Sequence, residues 1–150
     1  MTTRSPGEDG QPSLLVLGGT RFVGPAFADA AVEPGWRVTT FSRGQTGVAA
    51  EGDRTVEADL RVVAGQPWDV VVDAWSGPPT CGSGVRLDAG QPLRAYIYVS
   101  AESVYADPGI EVTEDAPLVA ASAPDDASRY AANKRAAEVR PSTTWAPTGC

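Results

Sequence analysis

Leu-Leu-Val-Leu-Gly-Gly-Thr-Arg-Phe-Val-Gly, the sequence of residues 14–24, joins an apolar run to a glycine turn. Four consecutive apolar residues, Leu14 to Leu17, are typical of a short strand that is buried on both faces. Gly18-Gly19 then allows the backbone to turn sharply. Apolar residues follow at helical spacing, so we expect a helix to begin near Arg21 or Phe22 and to pack one face against the strand.

A strand, a glycine turn and a helix N-terminus together form a site for an anion. Free backbone N–H groups point outward there, and the helix dipole adds partial positive charge. The usual ligand is the pyrophosphate of a dinucleotide, and Gly24 would let the helix lie close to the strand. A GxxGxxG fingerprint would need glycine where this chain has Arg21, so a structural turn in another type of α/β protein is the alternative interpretation.

The composition excludes several classes of protein. The 150 residues suit one domain, and 19 acidic against 12 basic residues give a net charge of −7, which disfavours contact with nucleic acid. With two cysteines and no histidine, a Cys/His zinc site, a histidine base and a Ser-His-Asp triad are excluded, and we expect no metal. No apolar run approaches the roughly 20 residues of a membrane span. The reducing cytoplasm is the expected location.

The rest of the chain predicts an alternating α/β order. We expect strands over residues 37–41, 55–58, 69–74 and 95–100, a short helix over 60–65 and a longer helix over 127–139. Short joints between strand, helix and strand make the first strands parallel. The expected fold is therefore α/β, a Rossmann-type doubly wound parallel sheet of about five strands.

The expected domain covers residues 13–140, between a polar N-terminal tail (1–12) and a C-terminal tail (141–150). Residues 78–92 contain four helix breakers beyond their opening proline pair, and they predict a loop or a poorly formed crossover. Residues 107–126 are rich in proline, alanine and acidic residues and also predict a loop.

The residues after the second strand bear on which dinucleotide would bind. Asp or Glu there would contact the ribose hydroxyls of NAD, but this chain has Ser42-Arg43-Gly44. Because an arginine suits the 2′-phosphate of NADP, we predict NADP as the preferred cofactor, with NAD or a merely solvated arginine as alternatives. The fourth strand ends at Asp73-Ala74-Trp75, which should lie at the same edge as the glycine turn. The sequence leaves open whether Asp73 caps the strand or belongs to the site.

Tyr130 and Lys134 lie four residues apart on the predicted last helix, so they share one face. A phenol is a poor acid or base near neutral pH unless a nearby positive charge favours the phenolate. Tyr130 would then pass a proton to or from a substrate oxygen while a cofactor moves hydride. The alternative is an exposed helix with a packed tyrosine and a solvated lysine, which is the commoner meaning of an isolated match.

The match at Tyr130 and Lys134 is not isolated, because it is one of four segments that occur in the order found in one known family. They are the glycine turn at residues 18–24, Asp59-Leu60 after the third strand, Ser-Ala-Glu-Ser-Val-Tyr at residues 100–105, and Tyr-Ala-Ala-Asn-Lys at residues 130–134. Over about residues 13–139 the chain resembles an extended short-chain dehydrogenase/reductase of the NAD-dependent epimerase/dehydratase family, in the form with a GGTxFxG turn. The resemblance implies an NAD(P)-dependent epimerase, dehydratase or reductase acting on a sugar nucleotide or another carbonyl or hydroxyl compound.

The resemblance also implies roles for residues. Tyr130 would be the acid/base, and Lys134 would support it and hold the nicotinamide ribose. The implied cofactor contacts are Gly18, Gly19, Thr20, Arg21, Phe22, Gly24, Ser42, Arg43, Asp59, Leu60, Ala74 and Lys134. The family's serine or threonine that polarises the substrate oxygen falls at Ala101, which has no hydroxyl. On a strand Ser103 shares a face with Ala101 and Ser100 does not, so Ser103 is the expected replacement.

Members of the family continue well beyond this helix, so we expect a truncated member that lacks the C-terminal substrate-binding part. One alternative is a nucleotide-binding module without catalytic activity. A second is an RNA-binding relative with the same glycine turn, which the charge of −7 disfavours. A five-stranded sheet would leave an exposed edge that a homodimer could cover. The expected partners are a nicotinamide dinucleotide and a small-molecule substrate, with no nucleic acid and no membrane.

Overall fold

The computed structural model describes residues 10–18, 23–41, 54–57 (backbone only), 63, 66–75, 93–107, 112–121 and 129–139. By its internal contacts the chain divides into two compact units. The first holds β1 (Ser13–Leu17), α1 (Val23–Val32), β2 (Arg37–Phe41), β3 (Arg54–Glu57), β4 (Val70–Asp73) and β5 (Ala95–Tyr98). The second holds a 3-10 helix (Glu102–Val104) and α2 (Tyr130–Glu138).

The five strands form one parallel sheet in the order β3-β2-β1-β4-β5. The order reverses between β1 and β4, which is the switch point at which doubly wound sheets bind ligands outside the carboxyl ends of their strands. The prediction of a Rossmann-type parallel sheet of about five strands is confirmed. The predicted strand limits hold within one residue for the first four strands, whereas β5 ends at Tyr98, two residues early.

Strand β1 is buried along its whole length, as the apolar run predicts. Its register with β2 pairs Leu17 with Phe41, and its register with β4 pairs Leu17 with Asp73. A strand flanked on both sides and covered on both faces can keep its backbone hydrogen bonds only with its neighbours. This central position therefore aligns the carboxyl ends of β1, β2 and β4 at one edge.

Helix α1 packs on β1 and β2, and its two ends follow from proline and glycine. Pro25 is the third residue of the helix, where its missing N–H removes no intrahelical hydrogen bond. Gly35 adopts φ +84°, and its N–H donates to the Val32 carbonyl at 2.9 Å. This left-handed residue ends the helix where Pro34-Gly35 predicts it.

One face of the sheet carries an apolar cluster built on Leu15, Leu17 and Val71. Trp68 and Val63 belong to the same cluster, and the Trp68 indole Nε1 donates to the Val63 carbonyl at 2.9 Å. Val63 has helical backbone and is the one described residue of the predicted short helix. The indole hydrogen bond satisfies the only polar atom of a side chain that is otherwise apolar.

Two buried aspartates flank β4, one at each end. Asp69 precedes the strand, and its Oδ2 accepts from the Ser13 N–H at 2.8 Å and from the Ser13 hydroxyl at 2.9 Å. The Asp69 N–H donates in return to the Ser13 hydroxyl at 3.0 Å, and the Arg94 Nε lies 3.5 Å from Oδ1. These contacts join the amino ends of β1 and β4.

Asp73 ends β4 and is fully buried. The hydroxyl of Tyr96, on the neighbouring strand β5, donates to Asp73 Oδ2 at 2.6 Å. Burial and the charge of Asp73 together raise the pKa of Tyr96 well above its usual value near 10. Tyr96 therefore stays a hydrogen-bond donor to this carboxylate.

In the second unit, residues 112–121 form a loop that contacts residues 104–106, and the sequence does not predict this contact. Tyr105 pairs with Leu118 in an antiparallel bridge, and the Val119 N–H donates to the Val104 carbonyl at 2.8 Å. The expected loop over residues 107–126 is confirmed for the described residues 112–121, where Leu118 is the one bridge residue. Backbone groups of Pro117 and Val119 form hydrogen bonds with Ala106 and Val104. Amino-acid composition does not predict such a contact, because every residue has the same backbone groups.

Several predictions lie outside the described residues, among them the crossover at 78–92, the C-terminal tail and most of the N-terminal tail. The last helix, predicted over 127–139, begins at Tyr130, and Arg129 is its N-cap residue. Among the described helices, none has the length and apolar character that crossing a bilayer requires.

Replacing Asp69 with alanine should lower the free energy of unfolding by about 2–3 kcal/mol, because the buried Ser13 N–H loses its charged acceptor. Urea denaturation followed by circular dichroism measures the change. Asp115→Ala is the matched control, since Asp115 is exposed in a turn and should cost less than about 0.5 kcal/mol. Equal losses in the two variants would contradict a joining role for Asp69.

Tyr96 should make stability fall as the pH rises above about 10. There the unfolded tyrosine loses its proton and the folded one keeps it, so the folded state binds more protons and loses at most about 1.4 kcal/mol per pH unit. Below pH 10 the contribution is fully present. Urea unfolding at pH 9 and pH 11 should show this slope in the parent chain and in Tyr105→Phe, but a shallower one in Tyr96→Phe. A parent slope equal to that of Tyr96→Phe would refute the argument.

Candidate functional site

One candidate site, in the first unit, is the carboxyl edge of the sheet at the switch point. Gly18 follows β1 with φ +77°, and its N–H donates to the Phe41 carbonyl at 3.0 Å. The Ala74 N–H donates to the Leu17 carbonyl at 2.9 Å. Gly18 and Ala74 are therefore held on either side of the end of β1, where dinucleotides bind in folds of this kind.

Gly24 is buried in the first turn of α1, where the sequence predicts close packing on the strand. The first turn of α1 has no acidic residue, so no carboxylate in that turn would repel a bound anion. The other expected cofactor contacts lie outside the described residues; they are Gly19, Thr20, Arg21, Phe22, Ser42, Arg43, Asp59 and Leu60.

Lys134 is a buried side chain of the second unit. It is 4% exposed, and its ammonium donates to the carbonyls of Trp75 and Val99, both at 2.7 Å. A buried ammonium is stable only when acceptors replace the water it loses. The two backbone carbonyls therefore hold the charge in one place.

Tyr130 lies one helical turn before Lys134 and is 45% exposed. The Lys134 Nζ is 6.0 Å from the centre of the Tyr130 ring. The shared helix face that the spacing predicts is thus present, with the lysine buried and the tyrosine open to solvent. This arrangement offers a hydroxyl to a ligand beside a fixed positive charge.

The residues around Ala101 do not follow the alternation of a strand. Ala101 itself is extended, but the next three residues form the 3-10 helix, in which Ser103 is exposed and Val104 is buried. The expectation that Ser103 shares a strand face with Ala101 is therefore wrong in its geometry, and a role for Ser103 stays a prediction. The Ser100 hydroxyl donates to Glu138 at the far end of α2, which also pairs with Arg135 at 3.1 Å.

A surface cavity of about 300 Å³ opens beside Tyr130. Residues 119–120 form one wall, and residues 129–132, at the start of α2, form the other. The lining residues are Val119, Ala120, Arg129, Tyr130, Ala131 and Ala132. Within the described part of the chain, no cluster of three or more cysteine, aspartate or glutamate side chains could hold a metal ion.

Sequence reasoning missed the acceptors of Lys134 and the cavity residue Arg129. Backbone carbonyls carry no sequence signal, so Trp75 and Val99 could not be identified as partners. One signal was available, because Lys134 is the only lysine among 12 basic residues. A chain that uses arginine at every other basic position and lysine here points to a need for a compact ammonium.

Comparison with solved structures identifies the architecture. UDP-galactose 4-epimerase matches with a TM-score of 0.62 and 22% identity over 85% of this chain and 49% of that chain. A proposed epimerase from Burkholderia cenocepacia J2315 matches at 0.61 and 21% identity, over 86% and 48% of the two chains. TunA, an NAD-dependent NDP-hexosamine 5,6-dehydratase of tunicamycin biosynthesis, matches at 0.53 and 23% identity, over 85% and 48%.

The chain spans about half the length of these structures. No protein-family model and no curated protein sequence matches it. The sheet order, the turn after β1 and these similarities lead to one conclusion: the chain has the Rossmann-type fold of NAD-dependent epimerases and dehydratases.

Proposed function

We propose that the chain is a member of the extended short-chain dehydrogenase/reductases, a nicotinamide-dinucleotide-dependent epimerase, dehydratase or reductase that acts on a carbonyl or hydroxyl compound. Tyr130 is the proton donor or acceptor at the substrate oxygen. Lys134 supports it with a fixed positive charge. A sugar nucleotide is the first substrate class to consider, because one structural neighbour is a UDP-galactose epimerase and another is an NDP-hexosamine dehydratase.

The observation that carries this proposal is the burial of Lys134 beside an exposed Tyr130. A solvated lysine, which the alternative interpretation of the motif requires, would not be 4% exposed with two carbonyl acceptors at 2.7 Å. Burying an ammonium costs free energy that a neutral side chain would avoid. A positive charge kept in such a place, 6.0 Å from a tyrosine ring, fits a role in proton transfer.

The described residues at the carboxyl edge fit a dinucleotide. Gly18 turns the backbone at the end of β1, Gly24 is buried in the first turn of α1, and that turn carries no carboxylate. When bound, the nicotinamide dinucleotide would supply hydride chemistry. The chain's part is to hold the pyrophosphate by backbone N–H groups after β1 and to exchange a proton at the Tyr130 hydroxyl.

A second candidate is a nucleotide-binding module without turnover. Ala101 supports it, because alanine cannot donate the hydrogen bond that the resemblance expects at the substrate oxygen. The Ser100 hydroxyl is engaged with Glu138 and does not replace it. Ser103 is exposed and remains the proposed substitute.

NADPH should bind more tightly than NADH, since Arg43 would pair with the 2′-phosphate. Arg43→Gln should weaken NADPH binding by roughly tenfold or more and leave NADH unchanged, as loss of a charge-assisted hydrogen bond predicts. Thermal shift and nicotinamide fluorescence measure both ligands. Arg135→Gln is the control, because Arg135 pairs with Glu138 on α2. Equal affinities for the two dinucleotides would refute the NADP preference, and a folded chain that binds neither would refute the cofactor assignment.

Tyr130→Phe should abolish turnover and preserve NADPH affinity, because only the hydroxyl is removed. Ala101→Ser should raise kcat by about tenfold or more, because it restores a donor at the substrate oxygen. With a panel of sugar nucleotides and small carbonyl compounds, absorbance of the reduced nicotinamide reports the rate of a reductase, and chromatography of the products reports the rate of an epimerase or dehydratase. If Ser103 supplies the hydroxyl instead, Ser103→Ala loses activity and Ala101→Ser changes little. Full activity in Tyr130→Phe would contradict the proposed mechanism.

A further inference from the structure

We propose that Glu138 is a positioning residue for the pair Tyr130 and Lys134, and that it acts through Ser100 and the Val99 carbonyl. This inference deepens the proposed function and rests on it, since it assigns a further residue to the same site. Glu138 follows Lys134 by four residues, about one helical turn, so the two side chains share one face of α2.

The segment that Glu138 contacts is residues 99–101, which belong neither to β5 nor to the 3-10 helix. Its first residue, Val99, supplies one of the two carbonyls that accept from the Lys134 ammonium, at 2.7 Å. Because the segment has no repeated backbone hydrogen bonds of a helix or strand, the place of this carbonyl depends on the contacts beside it. A displaced carbonyl would cost the buried ammonium an acceptor.

Glu138 makes the contact beside that carbonyl. The hydroxyl of Ser100, the residue after Val99, donates to Glu138 Oε1. The second carboxylate oxygen, Oε2, accepts from Arg135 Nη1 on the same helix at 3.1 Å. Helix α2 therefore holds this segment at two successive residues, by Lys134 at the first and by Glu138 at the second.

The strength of the Glu138 contact sets the size of the expected effect. A hydrogen bond to an ionised carboxylate is stronger than one between neutral groups, but water weakens it at an exposed position. The Glu138 side chain is 24% exposed, so part of that strength remains. The loss of the contact should therefore change the behaviour of the Lys134 ammonium several-fold, and not by orders of magnitude.

The test follows the Lys134 ammonium by ¹H–¹⁵N NMR in the full chain. Lys134 is the only lysine, so lysine labelled with ¹⁵N at Nζ gives a single side-chain signal. A buried ammonium on two carbonyls should exchange its protons with water much more slowly than free lysine. Glu138→Ala and Ser100→Ala should each speed this exchange by about fivefold, as the loss of one ordinary hydrogen bond predicts.

Conservative variants test the contact itself. Glu138→Gln keeps an acceptor and Ser100→Thr keeps a donor, so both should retain most of the slow exchange. A variant that combines Ser100→Ala with Glu138→Ala should exchange no faster than either single variant, because both changes remove the same hydrogen bond. Glu114→Ala is the matched control, since Glu114 is exposed in a turn of the same unit and should leave the rate unchanged.

Three results of the exchange experiment would overturn the inference. The first is a parent ammonium that exchanges as fast as free lysine, and the second is an equal rate in the parent chain, Glu138→Ala and Ser100→Ala. The third is a matching acceleration at the backbone amides of β1, because the variants would then act on the stability of the whole chain. In a chain that turns over substrate, kcat should also fall by about fivefold in Glu138→Ala. A kcat equal to that of the parent would defeat the positioning role.

The two proposals can fail separately. Binding of NADPH by a chain whose ammonium exchange ignores Glu138 defeats the positioning role alone. Slow exchange that depends on Glu138 and Ser100, in a chain that rejects NADPH and NADH, defeats the proposed function and leaves the contact standing.

Discussion

Parallel pairing of β1 with β2 on one side and β4 on the other is the constraint from which the first unit follows. Because β1 is buried throughout, water cannot satisfy its backbone groups, and both neighbouring strands must supply partners. This requirement places the ends of three strands at one edge. It also positions Gly18 and Ala74 at the end of β1, because the Gly18 N–H donates to the Phe41 carbonyl and the Ala74 N–H donates to the Leu17 carbonyl.

The same rule, that a buried polar group needs a partner, shapes the polar interior. Asp69 is satisfied by Ser13, Asp73 accepts from Tyr96, and Lys134 donates to two carbonyls. The two aspartates join neighbouring strands. Lys134 differs in its surroundings, because its buried charge lies on the same helix as the exposed phenol of Tyr130.

The fold was readable from the sequence because its signals are local. The apolar run Leu14–Leu17, the β-branched segment 37–41 and Pro34-Gly35 each act within a few residues, through burial on both faces, strand propensity and a left-handed turn. The helix face shared by Tyr130 and Lys134 was readable for the same reason, since four residues make about one turn. The orientation of the Ser103 side chain was not readable, because the alternation of side chains along a strand does not continue into the 3-10 helix Glu102–Val104.

The sequence by itself determined the order of strands and helices, the glycine turn after β1 and the alignment of Tyr130 with Lys134, all of which depend on spacing along the chain. Only the tertiary structure decided which acceptors hold the Lys134 ammonium, that residues 112–121 return to pair with Tyr105, and that Arg129 lines a cavity with Val119. The physical reason is that these contacts join residues distant in sequence, and most of them use backbone carbonyls and N–H groups, which are the same at every position.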